Sequence, residues 1–116
     1  MVAATRNLKI ERNATYRKSY QLFVKDQQID LSGFTAKMQI RETPQSDTIL
    51  LELSTQNGKL SLDTSLGIIT LKLEVDDIST VLVSAASYDL VLTSASNIST
   101  RLLMGRVIFV DGVTRG

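Results

Sequence analysis

The sequence predicts an all-β domain, an antiparallel sandwich or barrel, and three observations carry that reading. Apolar residues recur with period two in every strongly patterned segment, which places successive side chains on opposite faces of a strand. These segments recur about every ten residues with Gly, Asn, Asp or Ser between them, the spacing of strands joined by turns rather than of βαβ units. Helical periodicity is confined to one short stretch. A fold of roughly seven to nine strands follows.

Taken in order, Tyr16, Tyr20, Leu22 and Val24 share one parity, interrupted by Lys18, and give a strand over about 15–24 that ends in the polar Lys25-Asp26-Gln27-Gln28 turn. Phe34, Ala36, Met38 and Ile40 alternate with Thr35, Lys37, Gln39 and Arg41. This strand stops near Thr43-Pro44, because proline cannot donate to a ladder. Ile49, Leu51 and Leu53 mark the next strand. Asn57-Gly58 then supplies the positive φ angles of a tight hairpin, with Leu60 and Leu62 on the return. A turn at Asp63-Thr64-Ser65-Leu66-Gly67 precedes Ile69, Leu71 and Leu73, which alternate with Thr70, Lys72 and Glu74.

About 76–83 is the single helical candidate, with Asp76 or Asp77 as cap and Ile78, Val81 and Leu82 facing inward. The β-branched Val81 and Val83 limit it to about a turn. Tyr88, Leu90 and Leu92 form a strand before a Ser/Ala/Asn-rich loop at 93–100. The last strand, about 100–110, holds Gly105 in its middle, which signals a bulge or a close backbone approach, with Val107 and Phe109 inward beyond it.

One domain spanning 1–116 is expected, since 116 residues with 43% hydrophobic and 22% charged residues suffice for a core. Cysteine and histidine are both absent. That excludes disulfides, thiolate or imidazole metal sites, cysteine nucleophiles and Ser-His-Asp triads. A serine nucleophile would need a lysine base, and no Ser-x-x-Lys pattern occurs. Asp76-Asp77 diverge on a helix and lack the spaced acids of a calcium loop, while Asp26, Asp30 and Asp63 sit in turns. No catalysis, metal or organic cofactor is expected. Asn13-Ala14-Thr15 and Asn97-Ile98-Ser99 match the glycosylation sequon, which has meaning only in a secretory protein. Few aromatic residues are present for stacking on sugars.

The net charge is +1, too small for phosphate-backbone binding, so nucleic acid is not an expected partner. The charge is uneven: Arg6, Lys9, Arg12, Arg17 and Lys18 against Glu11 give residues 1–20 a charge of +4, leaving −3 on the other 96. Residues 1–12 and 111–116 are therefore candidate arms, with Arg6, Leu8, Lys9, Ile10 and Arg12 as the residues that meet a partner. The rival for 1–12 is an ordinary first strand of the sandwich. No apolar run approaches the ~18 residues of a membrane span and no secretory h-region opens the chain, so synthesis in the cytoplasm and no membrane crossing are expected.

Ile29-Asp30-Leu31-Ser32-Gly33-Phe34-Thr35-Ala36-Lys37-Met38-Gln39-Ile40-Arg41, Gly67-Ile68-Ile69-Thr70-Leu71, Tyr88-Asp89-Leu90, Arg101-Leu102-Leu103-Met104-Gly105-Arg106-Val107 and Val113-Thr114-Arg115 form a pattern over nearly the whole chain, with Ile10 to Tyr16 before it. This pattern resembles small virion proteins of tailed bacteriophages and, more loosely, the N-terminal β-sandwich of phage baseplate upper proteins. The chain departs from relatives at Ala85-Ala86-Ser87, where glycine is common. The resemblance implies an immunoglobulin-like sandwich without an active site. It also implies a tail or baseplate adaptor, made in the host bacterial cytoplasm, that joins other virion structural proteins in multiple copies of a symmetric assembly. A capsid decoration protein is the alternative within the particle, and a carbohydrate-binding module at the host surface is the alternative of another class. Either particle role implies strand addition at exposed sheet edges and terminal arms.

Overall fold

In the computed structural model, which describes residues 4–24, 27–28 and 30–113, the chain is all-β apart from one helical turn. The strands are β1 (Ala4–Thr5), β2 (Leu8–Glu11), β3 (Tyr16–Gln21), β4 (Phe23–Val24), β5 (Gln27–Gln28), β6 (Thr35–Arg41), β7 (Leu51–Ser54), β8 (Leu60–Asp63), β9 (Ile68–Leu73), β10 (Ala85–Thr93) and β11 (Ser99–Val110), with the helix α1 (Val75–Ile78) after β9. Among the described residues the eleven strands exceed the expected seven to nine because three of them are two-residue pieces. The stretch expected as one strand over 15–24 breaks at Leu22, whose amide donates to the Gly67 carbonyl, and continues as the β4–β5 hairpin.

The larger sheet has the order β1-β11-β10-β6-β7, with β2 also on β11, and the smaller one is β3-β9-β8. Both contribute to one core. Leu8, Ile10, Met38, Ile40, Leu90 and Val107 enter it from the larger sheet, Leu60, Ile69 and Leu71 from the smaller, and Ile78 from α1. At about 25 cal/mol per Å² of apolar surface, burying each such side chain is worth roughly 1.5–3 kcal/mol, so alternation in these strands is what closes the fold.

An antiparallel fold was expected, and the larger sheet is mixed. β1 and β2 run parallel to β11, with Leu8 beside Val107 and Ile10 beside Phe109. The alternation of Leu8 and Ile10 is satisfied equally by either strand direction, so period two fixes the face and leaves the direction open.

The Asn57-Gly58 hairpin is likewise overturned. β7 pairs with β6 and β8 with β9, so the segment between them crosses from one sheet to the other. Gly58 does take a positive φ of 81°, and the Asn57 side chain organises the crossing. Its Oδ1 accepts from the Ser54 and Lys59 amides, each at 3.0 Å, and its Nδ2 donates to the Glu52 carbonyl at 2.9 Å. The turn at 63–67 is a true hairpin: Asp63 pairs with Ile68, Asp63 Oδ1 accepts from the Leu66 amide at 3.1 Å, and Gly67 has φ 68°.

α1 is a single turn, four residues long, shorter than the 76–83 span expected. Glu74, not Asp76 or Asp77, is its N-cap residue, and Asp77 closes the cap by accepting from the Glu74 amide at 2.9 Å. Ile78 and Val81 are buried whereas Leu82 is exposed. Ile49 lies before β7 and is exposed too.

The β10–β11 register slips between Leu90 and Val91, leaving Leu102 as the extra residue and burying both Leu102 and Leu103. The bulge therefore lies at Leu102. Gly105 marks the close approach instead: a Cβ there would overlap the Arg6 carbonyl and lie 3.0 Å from Asn7 Oδ1.

Candidate functional site

The five residues expected to meet a partner divide into three groups. Leu8 is 4% exposed and Ile10 0%, so both are core side chains and cannot be the apolar side of a partner contact. For residues 4–12 the arm expectation is thus corrected to its rival, a strand of the chain's own sheet. Arg6 and Arg12 bracket that strand, their amides donating to the Met104 and Val110 carbonyls at 2.9 Å each. Residues 1–3 and 114–116 lie outside the described residues.

Arg12 is a staple. Its Nε donates to Asp111 Oδ1 at 2.8 Å, Nη1 to the Val81 carbonyl at 2.8 Å and Nη2 to the Val83 carbonyl at 2.7 Å. The guanidinium also lies over the Phe109 ring, 5.5 Å from its centroid. Its planar fork thereby ties β2, the segment after α1 and the end of β11 together, which is a structural role rather than a docking one. The proposed C-terminal arm begins inside this staple, since Gly112 packs so closely on Asn13 that a Cβ would overlap it. Arg6 and Lys9 are exposed.

The tyrosines are turned inward. Tyr88 donates its hydroxyl to the Arg6 carbonyl at 2.6 Å, so the buried ring keeps a satisfied polar tip. Burial, with Tyr20 nearby, pushes the Tyr16 phenol up to about 12. Burial raises Tyr88 as well, and raises Tyr20 against the opposing pull of Arg6. All three phenols are neutral at physiological pH and face the core, which leaves no tyrosine ring as an open platform. Of the loop acids, Asp26 lies outside the described residues, and Asp30 caps a turn: it accepts from the Ser32 hydroxyl at 2.7 Å and amide at 2.9 Å, bonds that hold its carboxyl below the usual range.

Two of the edge strands, β7 and β3, carry features that oppose strand addition. On β7 the outward-facing Ser54 amide and Glu52 carbonyl are both bonded by the Asn57 side-chain amide, which stands where a neighbouring strand would pair. On β3, Lys18 falls on the inward parity between Tyr16 and Tyr20, within 6.0 Å of the Tyr20 ring. A lysine at that place in an edge strand opposes strand-to-strand association.

The outer face of the larger sheet is open. Registry stacks Arg41, Ser87 and Arg106 in one cross-strand row, Glu52, Gln39, Asp89 and Met104 in the next, and Lys37, Val91 and Arg101 in a third. Two clefts lie along these rows. One of about 410 Å³ includes Lys37, Thr55, Val91 and Thr93, the other of about 260 Å³ includes Arg41, Pro44, Arg101 and Met104, and both are lined by Gln39 and Asp89. Sequence reasoning missed this face, because its charges come from three strands and meet only in register.

No family model matches the chain, and no curated protein matches it. Among solved structures the chain is similar to extracellular domains 3–5 of Drosophila OTK, at 11% identity and a TM-score of 0.38 over 89% of this chain. It spans about a third, 32%, of that structure.

Proposed function

We propose that the chain is a non-enzymatic structural protein of a tailed bacteriophage particle, a tail or baseplate adaptor built as an immunoglobulin-like β-sandwich and present in multiple copies among other virion proteins. The observation that carries this reading is where the resembling motifs lie. Phe34 to Arg41, Tyr88-Asp89-Leu90 and Arg101 to Val107 are far apart in sequence, yet they occupy β6, β10 and β11, which are neighbours in one sheet. Three of the resembling segments thus lie side by side in one sheet, and a fourth, Gly67 to Leu71, lies on β9 of the smaller one. The chemistry agrees with a binding role: Asp30 and Asp63 cap turns, and the charged side chains with room around them line an open sheet face.

The test is the copy number in purified particles by quantitative mass spectrometry. Threes, sixes or twelves per particle, in fractions holding tails, support the adaptor reading. Hundreds of copies on the shell would make the protein a capsid decoration subunit instead, and absence from particles would refute the virion reading.

A further inference from the structure

On the outer face of the larger sheet, the strands direct five cations outward, Lys9, Lys37, Arg41, Arg101 and Arg106, against three acids, Glu11, Glu52 and Asp89. Asp89 is taken by Arg101 at 3.3 Å, and Glu52 accepts from Gln39 at 3.0 Å. Arg41 instead donates to the Ser46 carbonyl and to Gln39 Oε1, and Arg106 to the Ser87 hydroxyl. Among the described residues, none of Lys9, Lys37, Arg41 and Arg106 forms an ion pair. The face therefore keeps an excess of positive charge after its internal pairs are made.

From this juxtaposition we infer that the outer face of β6, β10 and β11 is a docking surface for an extended acidic peptide segment of a partner. This deepens the assembly reading and rests on it for the partner's being a fellow subunit. The spacing fits such an occupant. Lys37 and Arg41 are four residues apart on one strand, about 13 Å, which is the span of two alternate-residue steps in an extended peptide. Carboxylates on every second residue then face the sheet and meet Lys37 in one cleft and Arg41 in the other, while the intervening residues face solvent. Arginine at Arg41 and Arg106 provides planar forks suited to carboxylates. A nucleic acid or a sugar chain is the poorer match, since among the described residues no exposed aromatic ring lies on this face for a base or pyranose to stack on.

The experiment titrates the isolated protein against a fluorescein-labelled peptide of alternating glutamate and serine, with a glutamine-serine peptide, heparin and single-stranded DNA as the other probes. Wild type is expected to bind the glutamate peptide, more weakly as salt rises, and not the glutamine one. Lys37→Glu with Arg106→Glu is expected to weaken binding about tenfold. Arg17→Glu with Lys72→Glu makes the same charge change on the outer face of the other sheet and is expected to leave binding within about twofold. Thermal melts check that both pairs fold, and Lys37→Ala with Arg106→Ala replaces the first pair if it does not. No binding by wild type, equal losses in the two pairs, or tighter binding of heparin or DNA through Lys37 and Arg106 would overturn the inference. Because this titration needs no particle, its failure is distinguishable from absence of the protein from virions.

Discussion

Replacing Gly105 by alanine probes a close backbone contact in the larger sheet. A Cβ at this position would overlap the Arg6 carbonyl oxygen and lie 2.9 Å from the carbonyl carbon and 3.0 Å from Asn7 Oδ1. These neighbours are backbone and a hydrogen-bonded amide, so the link between β1 and β2 must move. Moving it loosens three bonds at once: Tyr88 Oη to the Arg6 carbonyl at 2.6 Å, the Arg6 amide to Met104 at 2.9 Å, and the Arg106 amide to Asn7 Oδ1 at 3.1 Å. At about 0.5–1.5 kcal/mol per bond, and with a buried tyrosine losing its acceptor, the expected loss is about 2–4 kcal/mol. Urea unfolding followed by fluorescence measures it, with Gly58→Ala as the comparison. Gly58 also carries a positive φ, 81°, but has open space around it, so that variant costs only about 1 kcal/mol. A Gly105→Ala protein within 0.5 kcal/mol of wild type would refute the close packing of the N-terminal segment on β11.

Three further outcomes follow from the same geometry. Arg12→Ala, which removes two bonds to backbone carbonyls, should cost about 2–3 kcal/mol, whereas Asp111→Ala, whose side chain is 72% exposed, should cost under about 1 kcal/mol; chemical denaturation separates them. Asn57→Ala should uncover the β7 edge and produce concentration-dependent self-association in sedimentation velocity, together with a loss of about 1–3 kcal/mol. Tyr16 has its folded pKa raised from 10.0 to about 12, so the stability it contributes is fully present below 10.0 and is lost as pH rises toward about 12; an absorbance titration of the phenols beside alkaline unfolding should show this, and a first phenol ionising near 10 with all three tyrosines titrating together would contradict it.

Faces were legible in the sequence and connections were not. The alternation of Ala36, Met38 and Ile40, and of Tyr88, Leu90 and Leu92, marked the side chains that are buried. Gly105 and Asp30 declared a close approach and a turn, because each has a chemistry that few other local structures require. The same alternation says nothing about which strand is the neighbour, so the parallel course of β2 and the inter-sheet crossing at Asn57 escaped it. Consecutive Leu102 and Leu103 break the period, and only the bulge explains why both are inside. The basic N-terminal segment misled for a related reason. Charge counted along the chain gave Arg12 the look of a docking residue, yet its partners are carbonyls about seventy residues away, at Val81 and Val83. The cations of the outer face were visible singly and meaningless until register placed Lys37 in the row of Arg101, and Arg41 in that of Arg106.

The central structural claim is that residues 4–12 belong to the protein's own sheet rather than to an N-terminal arm. Hydrogen exchange of the isolated protein, resolved by NMR at the Arg6 and Arg12 amides, tests it most directly. Protection of both amides comparable to that of β10 is expected, because they donate to the Met104 and Val110 carbonyls of β11. Exchange of both at free-chain rates in the isolated protein, with protection gained only inside the particle, would show that the segment is an arm after all.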